Sequence, residues 1–267
     1  MNINNLFDVS GKVVIVTGGS RGIGEMITSG YLANGAKVYI TARKEAPLIL
    51  KAKELSEQYN AECIALPCDL STISGINNFY DQISDKEDHI DILVNNAGAA
   101  WGEPYESFSE GGWDKVMNIN VKSLFFMTQK FTNLLKANAS IDDPSRVINI
   151  ASIDGMGISA SETYSYSSSK AAVIHLTRHL SRKLVGENIN VNAIAPGPYP
   201  SQMLGAALNH DYTAAAAANP RKRVGTPEDI AGFAIFLSSR AGAYTVGETI
   251  TSDGGIVKTA GHNLSIE

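Results

Sequence analysis

This sequence has no long apolar run, few cysteines and no block of like charges. No stretch reaches the roughly 18 apolar residues of a membrane-spanning helix, and the first residues lack the basic start and apolar centre of a signal peptide. Cys63 and Cys68 are the only cysteines among 267 residues, and neither has a cysteine or histidine partner at zinc-binding spacing. These absences predict a cytoplasmic protein with reduced thiols and without a membrane partner, a disulfide framework or a zinc site.

A strong net charge is also missing. The 22 lysines and arginines and the 27 aspartates and glutamates leave a formal net charge of -5, which argues against nucleic-acid binding. The composition does provide apolar residues: 44% of the chain is hydrophobic and 18% is charged, which allows a sizeable core. Since no linker or internal repeat interrupts the chain, residues 1–267 are interpreted as one domain.

Short apolar runs alternate with helical segments along the whole chain. This alternation predicts an α/β protein with a doubly wound parallel sheet and helices on both faces. The predicted strands cover residues 12–19, 37–41, 62–67, 90–94, 146–151, 189–195 and 248–251.

A glycine-rich stretch from Thr17 to Gly24 follows the first predicted strand. Its glycines, Gly18, Gly22 and Gly24, have the spacing G-x-x-x-G-x-G. Residues without a Cβ permit a tight strand-to-helix turn and let backbone N–H groups approach a pyrophosphate at the positive end of a helix. The alternative interpretation is a plain tight turn without a ligand.

Basic residues follow the second predicted strand at the same edge of the sheet. A site for NAD usually has an acidic residue there for the ribose 2′-hydroxyl, whereas a 2′-phosphate favours arginine. The chain has Arg43 and Lys44 at this position and Arg21 within the glycine-rich stretch. We therefore expect NADP(H), the alternative being that these are solvated surface cations.

Two groups of asparagines are candidates for structural or catalytic work. Asn95 and Asn96 follow the fourth predicted strand, where short amides brace loops. Asn120 falls on the apolar stripe of a helix predicted over residues 112–135. A buried amide there either satisfies backbone groups at a helix distortion or holds water for a proton relay, and the sequence leaves both open.

Tyr166 and Lys170 are four residues apart on the inward face of a predicted helix, and the fifth strand delivers Ser152 beside them. A neighbouring ammonium favours the phenolate, so we expect a lowered Tyr166 pKa and interpret Tyr166 as a general acid/base. Tyr164 has Ser168 rather than a cation four residues later. The alternative is an ordinary surface pair, although a solvated pair belongs on the opposite face.

Two other patterns have plainer interpretations. His175 and His179 have metal-like spacing but point away from the Tyr166 face, and no carboxylate ligand accompanies them, so no metal is expected. The alanine-rich segment 198–222 is interpreted as a substrate lid, with a short solvent-facing helix as the alternative.

Taken together and in order, these motifs resemble the short-chain dehydrogenase/reductase family, in particular its NADPH-dependent 3-oxoacyl reductases of the rhamnolipid-pathway type. The resemblance covers nearly the whole chain and implies a single-domain Rossmann fold with seven parallel strands. It implies catalysis by Asn120, Ser152, Tyr166 and Lys170. It implies cofactor binding by Gly18, Ser20, Arg21, Gly22, Ile23, Gly24, Arg43, Asp69, Leu70, Asn96, Ala97, Gly98, Tyr166, Lys170, Pro196, Gly197 and Ser201.

The same resemblance implies the chemistry and two departures from it. Ser152 and Tyr166 would hydrogen-bond a substrate carbonyl, Lys170 would hold the nicotinamide ribose, and Asn120 would anchor a proton-relay water. The separation of Ser152 and Tyr166 is one residue longer than is usual in the family, and Ser201 replaces a threonine. In relatives the outer faces of the helices carrying Asn120 and Tyr166 pair, so a homotetramer is expected.

The sequence favours reduction of a ketone, most simply a 3-oxoacyl thioester or related β-keto compound, by NADPH. Oxidation of a secondary alcohol such as a sugar acid or polyol is the alternative, and a cofactor-binding regulatory protein without turnover is a third. A partly apolar substrate cleft is expected from Ala100, Trp101, Pro104, Met156 and Ile158.

Overall fold

The structure, a computed structural model, describes residues 3–159, 161–202, 204–205 and 209–259. Its framework is one seven-stranded sheet in the order β3-β2-β1-β4-β5-β6-β7, with every neighbouring pair parallel. The predicted doubly wound Rossmann fold is confirmed. The strands are β1 (Val13–Thr17), β2 (Lys37–Thr41), β3 (Cys63–Ala65), β4 (Ile92–Asn95), β5 (Ser145–Ile150), β6 (Ile189–Pro196) and β7 (Thr249–Ser252).

Helices follow the strands and cover the sheet. They are α1 (Gly22–Ala33), α2 (Glu45–Tyr59), α3 (Ile73–Ser84), α4 (Glu110–Met117), α5 (Ser123–Lys136), α6 (Tyr164–Leu184), α7 (Thr213–Ala218), α8 (Pro227–Ser238) and α9 (Ile256–Thr259). None of the helices among the described residues is long and apolar enough to span a bilayer.

The sheet is buried on both faces because its central strands are apolar throughout. All five residues of β1 are buried, and Val14 and Val16 pack with α1, α2 and α8. Ile15 points to the other face, where it packs with residues of α3 and α5. This alternation follows from the two-residue period of a strand, and it gives the molecule two main apolar clusters.

The direction of strand order reverses between β1 and β4. The chain builds outward from β1 to β3, crosses back, and builds outward again from β4 to β7. In such sheets the carboxyl ends of the strands flanking the reversal form a crevice that binds ligands. The glycine-rich stretch at the end of β1 and residues 95–98 at the end of β4 therefore meet at this crevice.

The predicted helix over residues 112–135 is interrupted in the structure. α4 ends at Met117, a π-helical turn covers Asn118–Lys122, and α5 begins at Ser123. Apolar periodicity continues through the turn, which is why the sequence indicated one helix. Such turns are frequent at functional sites.

Candidate active site

The glycine-rich stretch adopts a conformation that requires glycine. Gly18 and Gly22 have φ of +65° and +55°, in the left-handed region that other residues rarely adopt. A Cβ on Gly24 would lie 2.2 Å from the Gly18 carbonyl oxygen, so α1 and the end of β1 approach too closely for any side chain. The loop is thus shaped to bring backbone rather than side chains to the crevice.

The start of α1 is open to an anion. Arg21 precedes the helix with extended backbone, and its side chain makes no capping hydrogen bond. The first N–H groups of a helix lack intrahelical partners and carry the positive end of its dipole. A dinucleotide pyrophosphate fits this end of α1, since backbone donors and the absence of side-chain bulk are what it needs.

The two candidate arginines lie on different sides of β1. Arg43 follows β2 near Asp69, whose pKa is held below its usual value mainly by hydrogen bonds from Ser71 and additionally by the Arg43 charge. A cleft of about 360 Å³ opens beside Asp69. Arg21 instead donates a hydrogen bond of 2.7 Å to Gln202, which follows β6. Of the two candidate arginines, Arg43 is therefore the one that lies beside Asp69.

Asn95, the last residue of β4, and Asn96, which follows it, brace the crevice as predicted. Asn96 donates from Nδ2 to the carbonyl oxygens of Thr17 (2.8 Å) and Gly18 (3.2 Å). Asn95 donates to Thr128 (3.1 Å) and to Asn149 (3.0 Å). These bonds tie β4 to the ends of β1 and β5.

Asn120 satisfies backbone groups within the π-helical turn. It is 2% exposed, accepts from the Ala99 N–H (2.8 Å) and donates to the Ala99 carbonyl oxygen (3.0 Å). Its amide also donates to Ser169 Oγ (2.9 Å), which joins the turn to α6. Of the two interpretations left open by the sequence, the side-chain contacts match the first. Ser169 was missed because only its tertiary partner distinguishes it from the other serines of α6.

The structure brings Ser152, Tyr166 and Lys170 together beyond the end of β5. Ser152 and Lys170 are buried, and Tyr166 is half-buried with the Ser152 hydroxyl close enough to favour its ionised form. Tyr164 is exposed and donates to Glu162 Oε1 at 3.1 Å. The inward direction of Tyr166 and Lys170, and the outward direction of His175, are confirmed.

The predicted lowering of the Tyr166 pKa by Lys170 is wrong for the protein without cofactor. Lys170 Nζ donates to the Ile150 carbonyl oxygen at 2.7 Å and lies 5.6 Å from the Tyr166 ring centroid. Burial raises the Tyr166 pKa, the nearby Ser152 hydroxyl opposes the rise, and the charge of Asp154 adds to it. Helical spacing placed the two residues on one face, but the long lysine side chain extends to β5. Tyr166 is therefore neutral near pH 7 and suited to donate a proton.

Aromatic side chains cluster around the start of α6. Tyr164 packs edge-to-face against Tyr105 and Phe108, with ring centroids 5.8 and 5.7 Å apart. Trp101 lies under the Lys115 ammonium, 4.2 Å from Nζ to the ring. Ile158, which we expected to line the substrate cleft, has a fully exposed side chain.

Part of the segment predicted as a lid is a short solvent-facing helix, which was the alternative interpretation. Within residues 198–222 the structure has the short helix α7, none of whose residues is buried. Residues 203 and 206–208 lie outside the described residues. A lid role for this segment stays a prediction.

Comparison with known proteins decides the family. A family model described as enoyl-(acyl carrier protein) reductase matches residues 18–257. The short-chain dehydrogenase/reductase PhomF of Diaporthe leptostromiformis is 33% identical over 274 residues, covering 94% of this chain and 93% of that protein. The chain belongs to the short-chain dehydrogenase/reductase family.

One further member of this family is similar over almost its full length, both in sequence and in solved structure. The rhamnolipids biosynthesis 3-oxoacyl-[acyl-carrier-protein] reductase of Pseudomonas aeruginosa is 44% identical over 251 residues, covering 93% of this chain and 97% of that protein. The structure of the Pseudomonas aeruginosa RhlG/NADP active-site complex matches with a TM-score of 0.91 and 43% identity, covering 96% of this chain and 100% of that one.

The structure shows the local conformation at the two departures from the family pattern, the longer Ser152–Tyr166 separation and Ser201. After Ser152 the chain forms a tight 3-10 turn, Ile153–Gly155, before the loop that leads to α6. Ser201 accepts a hydrogen bond from the Leu204 N–H at 3.2 Å, and a Cβ on Gly22 would lie 3.2 Å from Ser201 Cβ. Ser201 thus lies directly against the start of α1.

Lys170 gives a testable pH dependence of stability. Burial lowers its pKa to about 8 from an ordinary value of 10.5. Between these values the unfolded chain binds more protons than the folded one, so the free energy of unfolding increases with pH in this window. We expect a gain of about 2 kcal/mol from pH 8 to pH 10 in the protein without cofactor.

Urea unfolding at pH 8, 9 and 10 measures this gain, with Lys170→Met as the comparison. The variant has no group to titrate at position 170, so the difference in stability between the two proteins isolates the lysine. An unchanged difference across the three pH values would show that Lys170 titrates at its ordinary value.

Proposed function

We propose that this enzyme reduces the ketone of a 3-oxoacyl thioester, or a related β-keto compound, to a secondary alcohol with NADPH. The observation that supports it most is the pairing of Ser152 with a half-buried Tyr166 whose pKa is raised. Two neutral hydroxyl donors at one point suit a carbonyl oxygen that gains negative charge. The 3-oxoacyl reductase and the NADP complex among its relatives support substrate and cofactor.

The cofactor-binding residues we propose are those expected from the family resemblance, from Gly18 to Ser201. Bound NADPH would supply a hydride to the carbonyl carbon. The Lys170 ammonium has three N–H donors and donates one to Ile150, so two remain for hydroxyl groups of the nicotinamide ribose. Arg43 beside Asp69 would bind the 2′-phosphate.

The proposed reaction uses each hydroxyl in one step. Ser152 donates a hydrogen bond to the carbonyl oxygen and orients it, and Tyr166 transfers its proton as the oxygen becomes an alkoxide. Asn120 holds Ala99 and Ser169 in place around the π-helical turn. The assembly into a homotetramer, the assignment of residues 1–267 to one domain and the cytoplasmic location remain predictions.

The experiment that tests this function is an NADPH-oxidation assay with a set of related substrates. We expect turnover of acetoacetyl and longer 3-oxoacyl thioesters. Crotonyl thioester has a carbon–carbon double bond instead of the ketone, so it offers the two hydroxyls no oxygen at the reacting carbon and should not be reduced. Turnover of crotonyl thioester alone would assign enoyl reduction. Turnover only of a sugar acid or polyol with NAD(P)⁺ would assign the alternative, alcohol oxidation.

A further inference from the structure

Asp154 is a carboxylate beside the catalytic hydroxyls that the reaction does not use. It lies in the 3-10 turn Ile153–Gly155, two residues after Ser152. Its backbone N–H donates to Ser152 Oγ at 3.1 Å. The main chain of Asp154 is therefore fixed directly to one of the two hydroxyls that would contact the substrate carbonyl.

The other side of the same turn is fixed to α6. A Cβ on Gly155 would lie 2.5 Å from the Lys170 carbonyl carbon and 2.6 Å from the Ala171 nitrogen. Only a glycine permits this approach, so the turn packs against the helix that carries Tyr166 and Lys170. Asp154 is thus held in place from both catalytic segments rather than extending from a free loop.

Among the residues that the structure describes, none neutralises the charge of Asp154. Its side chain is half-buried, and within the described parts of the chain no hydrogen bond or ion pair to its carboxylate is formed. Burial raises its pKa, and its charge contributes to the raised pKa of Tyr166, which places the carboxylate within electrostatic reach of the reacting oxygen. A second anion entering the site would meet this unpaired charge.

We propose that Asp154 determines specificity by selecting neutral β-keto substrates, such as esters and thioesters, against ketones that carry a carboxylate near the carbonyl. Like charges in a partly dehydrated site repel strongly, whereas an ester of the same carbon skeleton carries no charge. This inference rests on the proposed ketone reduction at Ser152 and Tyr166.

The test compares ethyl acetoacetate with acetoacetate, which share the 3-oxo group and differ in charge. We expect wild type to prefer the ester in kcat/KM, and Asp154→Asn to narrow the ester-to-acid ratio by roughly tenfold, as expected for two partly screened unit charges. The ratio is the readout because an effect transmitted through Tyr166 changes both substrates alike. Asp154→Glu keeps the charge and should keep the preference.

Asp142→Asn is the matched control. Asp142 is exposed and precedes β5 at the opposite edge of the sheet, and its removal changes the net charge by the same amount. It should leave the ratio unchanged. If Asp154→Asn does not fold, as judged by thermal unfolding, Asp154→Ser provides a second neutral variant.

Two results would overturn the inference in different ways. If wild type and both neutral variants reduce the ester with the same ester-to-acid ratio, Asp154 has no role in selection, although ketone reduction stands. If wild type reduces neither these ketones nor any 3-oxoacyl thioester, the proposed function fails and this inference fails with it.

Discussion

Tyr166→Phe is expected to lower kcat for ketone reduction by about 10²–10⁴-fold, the usual contribution of a positioned general acid. The ring and its packing remain, whereas the proton that the developing alkoxide needs is lost. Because the hydroxyl acts in the transition state, the loss should appear in kcat and kcat/KM to a similar degree. Steady-state NADPH oxidation with an acetoacetyl thioester measures it, and titration of NADPH fluorescence should show retained binding.

Tyr164→Phe is the matched control for this prediction. Tyr164 begins the same helix, but its hydroxyl is exposed and donates to Glu162 rather than toward Ser152. It should retain most of the wild-type activity. An inactive Tyr164→Phe together with an active Tyr166→Phe would contradict the assignment of the proton donor.

The raised pKa of Tyr166 leads to a further prediction about the pH at which its phenol ionises. Its phenol should titrate above pH 10 in the protein without cofactor, because burial disfavours the phenolate and Lys170 is bonded elsewhere. The difference in ultraviolet phenolate absorbance between wild type and Tyr166→Phe isolates this one group. A titration below pH 9 would restore the original expectation that Lys170 activates the phenol.

Arg43→Ala is expected to weaken NADPH binding by roughly 10- to 150-fold and to leave NADH binding nearly unchanged. Loss of a charged hydrogen bond to the 2′-phosphate costs about 1.5–3 kcal/mol, and NADH has no phosphate to lose. The position of Arg43 beside Asp69, on the β2 side of the crevice, supports this assignment. Fluorescence titration of both cofactors measures the two dissociation constants.

Lys53→Ala is the control for a general effect of positive charge. Lys53 is exposed on α2 and its nearest acidic partner is Glu57, 3.8 Å away. Its removal should affect NADPH binding far less than removal of Arg43. Equal wild-type affinity for NADPH and NADH, or an equal loss of both in Arg43→Ala, would show that Arg43 does not recognise the phosphate.

Much of the framework could be predicted because its causes are local. The apolar run before Gly18 is buried on both faces as a central strand must be, and β2 covers the residues that the sequence indicated, Lys37–Thr41. The positive φ values of Gly18 and Gly22 are what glycines in a tight strand-to-helix turn allow. The apolar periodicity and the residue types of a short segment are enough to determine these features.

The helix over residues 112–135 shows where local patterns stop being sufficient. Its apolar stripe continues through the π-helical turn, so the only sign of the interruption at Asn118–Lys122 in the sequence is the amide of Asn120 on that stripe, which also allowed a water-binding role. Asn120 stabilises the turn because it accepts a hydrogen bond from the Ala99 N–H, in the loop after β4, and donates one to Ser169 in α6. Partners this far away in sequence are brought together only by the folded sheet.

The sequence by itself determined that Tyr166 and Lys170 share one helix face and that Ser152 follows a strand ending nearby. Only the tertiary structure decided that the lysine ammonium binds the Ile150 carbonyl and that the Tyr166 pKa rises. It also decided that the backbone of Asp154 binds Ser152 while its carboxylate has no hydrogen bond or ion pair among the described residues. The physical reason is that helical period fixes the direction of a Cβ, whereas the end of a long side chain and the dielectric around a charge depend on the segments packed against it.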